Sequence, residues 1–135
     1  MKSFDDIRTS SARALQIYQI LLGLAHNRQT TTYGKLAEIL GFDGAGVFAV
    51  PLGHIMYWCA ENELPPLTSL VVKQDTGLPG DGLTSPVDLH GEREQVFEYP
   101  WFKLYPPSPE ELKAAFDRGS NASGTPKAHA ARTAR

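Results

Sequence analysis

The sequence predicts a single α+β domain, mostly helical, and three observations carry that reading. Helical hydrophobic spacing recurs in three successive segments before residue 62, a short β-branched run follows, and a Gly/Pro/Asp-rich stretch then leads to a capped C-terminal helix. At 135 residues and 41% apolar composition the chain has room for one hydrophobic core and too little for two, and it fits neither a coiled coil nor a wholly disordered chain.

Between Ser10 and Ala25, residues Ala14, Ile17, Tyr18, Leu21, Leu22 and Ala25 recur at three- and four-residue steps, the stripe of an amphipathic helix, with Ser10 or Ser11 as its N-cap. Thr32 caps a second helix of about residues 32–40, whose apolar positions are Tyr33, Leu36, Ala37 and Leu40, and Gly41 stands just past its end. The stretch FDGAG at 42–46 is turn chemistry. Pro51 then suits the first turn of a third helix over about 51–62. Around that helix Leu52, Ile55, Met56 and Cys59 gather on one side, and His54, Tyr57, Trp58 and Glu61 on the other, which reads as an outward aromatic face.

Pro65 and Pro66 stop the helix, and LTSLVV at 67–72 reads as a buried strand. Residues 73–91 read as a long loop or wing, and 93–102 fits either a strand pairing with 67–72 or, the reading preferred, a short helix ending before Pro100, with Trp101 and Phe102 as buried anchors. Ser108-Pro109-Glu110-Glu111 combines an N-cap, a first-turn proline and a glutamate at N3, so a closing helix follows. Three helices, a strand and a Gly/Pro-rich loop in this order predict a winged helix-turn-helix with a short strand pair or wing.

Charge divides the chain unevenly. Residues 1–116 hold nine Lys/Arg against fourteen Asp/Glu, a net −5, whereas 117–135 hold four against one, a net +3. That second segment has no leucine, isoleucine, valine or aromatic residue beyond 116, so the expected organisation is a domain over 1–116 and a disordered basic tail over 117–135. Acids stand near the start where a signal peptide needs a basic and then an apolar run, and Cys59 is the one cysteine. No apolar stretch is long enough to cross a bilayer, so a cytoplasmic chain without membrane attachment is expected.

The segment TTTYGKLAEILG at 30–41 resembles the helix-turn-helix of the DNA alkyltransferase and alkyltransferase-like proteins, whose "TYG.LA..G" signature opens the helix before the recognition helix. The likeness runs over about residues 12–83, through Gly53, the segment Pro66 to Val72 and GLPGDG at 77–82. It implies DNA recognition, with Tyr33 beside an extruded nucleotide. The family's "PCHR" nucleophile motif would fall near Pro66-Leu67-Thr68-Ser69, which has neither its cysteine, its histidine nor its arginine. The arginine that the family inserts into the duplex has no counterpart in Val47-Phe48-Ala49-Val50. The resemblance therefore implies binding without alkyl transfer.

Two functional expectations result. The first is a non-enzymatic DNA-recognition module with Tyr33, Lys35, His54, Trp58 and Lys73 as contacts. It has to overcome the lack of any Lys or Arg between Lys35 and Lys73, an interval holding Glu38, Asp43, Glu61 and Glu63, because DNA affinity comes largely from neutralising phosphates. The second is a protein-interaction or dimerisation module using His54, Tyr57, Trp58 and Glu61, since aromatic residues are enriched at interface hot spots. No metal or cofactor is expected: His26, His54, His90 and His129 lack converging ligand spacing, and GLPGDG lacks the Lys-Ser/Thr of a phosphate loop. Cys59 faces away from His54 and reads as a core residue.

Overall fold

The computed structural model describes residues 1–5, 7–42, 46–74 and 89–123. Among these the chain is mostly helical, with a small parallel sheet. Helix α1 spans Ser10–His26, α2 Tyr33–Leu40, α3 Ala49–Glu61, α4 Leu89–Glu98 and α5 Pro109–Ser123. Strands β1, Thr31–Thr32, and β2, Val71–Val72, pair in parallel, with Thr31 opposite Val71 and Thr32 opposite Val72.

Local chemistry sets the helix ends. Thr9, rather than either following serine, caps α1 by accepting from the Ala12 N–H at 3.1 Å, and the whole predicted apolar stripe of α1 is buried. Thr32 caps α2 by accepting from the Lys35 N–H at 3.0 Å. Gly41 closes α2 at φ +76°, a left-handed conformation that side-chain-bearing residues rarely adopt. Helix α5 starts with reciprocal bonds: the Glu111 N–H donates to Ser108 Oγ at 3.1 Å and the Ser108 N–H to Glu111 Oε1 at 2.9 Å.

Three sequence expectations need correction. Residues 67–72 are not one strand: Leu67–Leu70 form a 3₁₀ turn and only Val71–Val72 extend, because the sheet partner β1 is itself two residues long. Trp101 is buried, its indole N–H donating to the Val96 carbonyl at 2.8 Å, but Phe102 is 65% exposed and only edges onto His26. The helix expected to stop at Phe116 continues to Ser123, with Gly119 buried, so residues 117–123 belong to the domain. Most of the turn at 42–46 and of the loop at 73–91 lies outside the described residues, as does the rest of the basic tail.

Helix α3 is the centre of the molecule. It packs against α1 on one side and α5 on the other, and α1 also touches α5. Every residue from Pro51 to Tyr57 is buried, as expected of a helix apolar or aromatic on all sides. Two glycines let α5 lie close. A Cβ on Gly53 would stand 3.1 Å from the Phe116 ring, and one on Gly119 would land on the Tyr57 ring. Burial of a leucine contributes about 1.5–3 kcal/mol, and an exposed ion pair at most about 1 kcal/mol. Fully buried Leu112, more than the Arg118–Glu61 pair at 2.7 Å, therefore holds α5 down.

Candidate functional site

The residues expected to contact DNA fall into two places. Tyr33 and Lys73 directly follow the paired residues Thr32 and Val72, so the parallel register brings them out at the same end of the sheet. Lys35, exposed on the first turn of α2, shares that end, its Nζ 3.4 Å from Glu38 Oε1. Tyr33 is half-buried against the core. His54 and Trp58 are elsewhere, within α3.

The outward aromatic face expected of α3 is instead an internal seam, because α5 covers it. His54 is 4% exposed and stacks on Phe116 at 4.4 Å between ring centroids. Tyr57 is 2% exposed and meets the edge of the same ring. Glu61 is held in two bonds by the Arg118 guanidinium, at 2.9 and 2.7 Å. Trp58 and Glu61 keep partial access to the surface, Trp58 with its ring edge-on to Tyr18 at 5.6 Å between centroids. Burial is complete from Pro51 to Tyr57, whereas Ala49 and Val50 at the start of the helix are exposed.

Burial also sets the chemistry of the titratable groups in this core. His54 Nδ1 lies 2.8 Å from the Val50 carbonyl, which can only accept, so Nδ1 carries the proton of the neutral ring. Burial holds the His54 pKa below its ordinary value; the Val50 bond and Asp117 oppose that shift and Lys113 adds to it. Burial pushes the Cys59 thiol up to about 12, although a bond from the Leu67 backbone opposes the shift. A thiol so poorly ionised is a packing group and not a nucleophile. The Tyr18 hydroxyl, also raised to about 12 by burial, has no hydrogen-bond partner among the described residues.

Cations are largely engaged within the chain. Arg28 grips Glu94 in two 2.7 Å bonds, Lys113 meets Asp117 at 2.9 Å, and Arg118 meets Glu61. Buried Arg13 bonds Gln16 and lies over the Phe42 ring, and Arg93 donates to the Ser69 carbonyl. No basic stripe forms among the described residues.

Among the described residues a recessed surface lies on the opposite side of Trp58, where the segment between α4 and α5 crosses the end of α3. Three depressions meet there at Tyr99. One, of about 440 Å³, is walled by Trp58, Leu64, Tyr105, Pro106, Pro107 and Glu111. A second, of about 480 Å³, lies between Glu63, Pro65 and Pro66 on one bank and Gln95, Glu98 and Pro100 on the other. The third and smallest is framed by Phe97, Trp101, Phe102, Lys103 and His26. Tyr105 is 93% exposed. Neither the Trp58 indole N–H nor the hydroxyls of Tyr99 and Tyr105 bond to the protein among the described residues. The sequence signal for this surface was EYPWFKLYPP at 98–107, in which aromatic residues alternate with prolines. Read along the chain it suggests buried anchors, and Trp101 fits that reading. Only the fold turns Tyr99 and Tyr105 towards the Trp58 side.

Fold and surface together define a small helical domain with a recess lined by aromatic residues and prolines. Comparison with protein-family models, with curated proteins and with solved structures finds no match. Among the described residues no three His, Cys, Asp or Glu side chains gather as a metal site would require, and no helix is long and apolar enough to cross a membrane.

Proposed function

We propose that this chain is a protein-interaction module that receives an extended segment of another protein in the recess around Tyr99. The observation that carries the reading is the set of aromatic donors there, the Trp58 N–H and the Tyr99 and Tyr105 hydroxyls, whose rings offer contact area and which have no hydrogen-bond partner among the described residues. Tyrosine and tryptophan combine a large apolar body with a polar tip, which suits them to interfaces that are apolar yet wet. Trp58, expected to serve an interface from α3, keeps that role at a different place.

The test is selection of binders from a peptide library on the full chain, followed by measurement on variants. Tyr105→Ala, at a nearly fully exposed position, leaves folding intact and weakens the selected binders about tenfold, the loss typical of an interface anchor. Binders indifferent to both Tyr105→Ala and Trp58→Phe overturn the reading.

A second reading keeps the winged helix-turn-helix and the likeness to alkyltransferase-like proteins, and moves the DNA contacts to Tyr33, Lys35 and Lys73. Their shared position at one end of the sheet is the observation in its favour. A band shift with duplex DNA at about 50 mM salt, abolished by Lys35→Glu, would establish it in place of the first.

A further inference from the structure

Resting on the interaction reading above, the geometry points to one class of partner: we propose that the recess takes a proline-containing segment in the polyproline II conformation that carries arginine or lysine. An extended or helical segment can be recognised by strand addition, as a helix in a groove or as a polyproline II helix, and the recess discriminates among these. Strand addition needs a free sheet edge, and neither β1 nor β2 lines the recess. An amphipathic helix needs one continuous apolar trough, whereas here the surface is broken into separate bays by the Tyr99 ring and by the Pro65-Pro66, Pro100 and Pro106-Pro107 walls.

A polyproline II ligand suits what remains. It has three residues per turn and a fully solvated backbone, so its prolines enter successive bays while its carbonyls are free to accept. The recess supplies the complementary donors, from Trp58, Tyr99 and Tyr105. A ligand preformed in this conformation also loses little entropy on docking.

Charge selects the flanking residues. Glu63 and Glu98 border one bay and Glu111 the other, and no Lys or Arg lines either. Lys103 lies in the third bay only. Glu111 also accepts from the Ser108 N–H, so its position is fixed at the rim. These carboxylates attract an arginine-bearing segment and repel an acidic peptide or a phosphodiester, so the recess is suited to neither.

The test uses the full chain and a fluorescently labelled peptide of alternating arginine and proline pairs, read by anisotropy. Saturable binding is expected, weakened about tenfold when the arginines become glutamates and likewise when the prolines become alanines. The double variant Glu63→Lys/Glu98→Lys weakens the arginine peptide while leaving the melting temperature in place, both side chains being exposed. Absence of saturable binding, or binding that neither charge reversal nor Tyr105→Ala alters, overturns the inference. Library binders that depend on Tyr105 or Trp58 but are acidic or lack proline overturn it while leaving the interaction reading intact; binders indifferent to both Tyr105→Ala and Trp58→Phe remove both.

Discussion

The buried polar atoms at the heart of the molecule have opposite consequences. The Tyr18 hydroxyl is buried without a hydrogen-bond partner among the described residues, and a buried unsatisfied group costs about 1–3 kcal/mol. Tyr18→Phe is therefore expected to stabilise the protein, by up to about 1 kcal/mol, raising the urea midpoint; a clear loss of stability would show that the hydroxyl has a partner after all. His54 is satisfied only while neutral. Its folded pKa lies below the unfolded value of about 6.5, so the unfolded chain takes up a proton that the folded state refuses. Its contribution is complete above about pH 6.5 and is lost as pH falls towards the folded pKa. His54→Gln should flatten the decline in denaturation midpoint between about pH 7 and about pH 5, and an unchanged slope would assign the decline to other groups. The aromatic residues of α3 were legible as a cluster, but their solvent exposure was not, since a ring looks the same in sequence whether water or another helix covers it.

Among the elements, α5 had the most readable start and the least readable end. Its Ser108/Glu111 box is local chemistry, and Ser108→Ala should cost about 1 kcal/mol in chemical denaturation. Its continuation past Phe116 has few apolar side chains, so hydrophobic periodicity gave no sign of it. The continuation is held instead by close approach, with Gly119 against the Tyr57 ring. In an exposed helix Gly→Ala would add about 0.5–1 kcal/mol of stability. Here the sign reverses: Gly119→Ala forces the ring aside and should cost about 1–3 kcal/mol, lowering the melting temperature. A stabilised variant would mean that α5 does not lie as close as described. The short helix α2 was readable at both ends, because Thr32 is a strong start signal and Gly41 a strong stop signal. The sheet was only half readable, since two-residue strands leave no periodicity to detect.

At the level of the whole molecule, α5 is part of the core and not an appendage. Removing residues from 109 onward strips α3 of its cover and should abolish the cooperative thermal transition; a truncated chain that still melts sharply would require another arrangement of the centre. The acidic net charge of residues 1–116 was plain from the sequence, and the fold adds that Arg28, Lys113 and Arg118 are each paired with a carboxylate of the same chain. The sequence alone determined where most helices begin and which of their residues face the core, because capping and hydrophobic spacing act over a few residues. The tertiary structure decided which surface stays open. That outcome depended on contacts between residues some sixty positions apart, Gly53 with Phe116 and Tyr57 with Gly119, which turned an aromatic face inward and left the Trp58 edge, Tyr99 and Tyr105 along the recess.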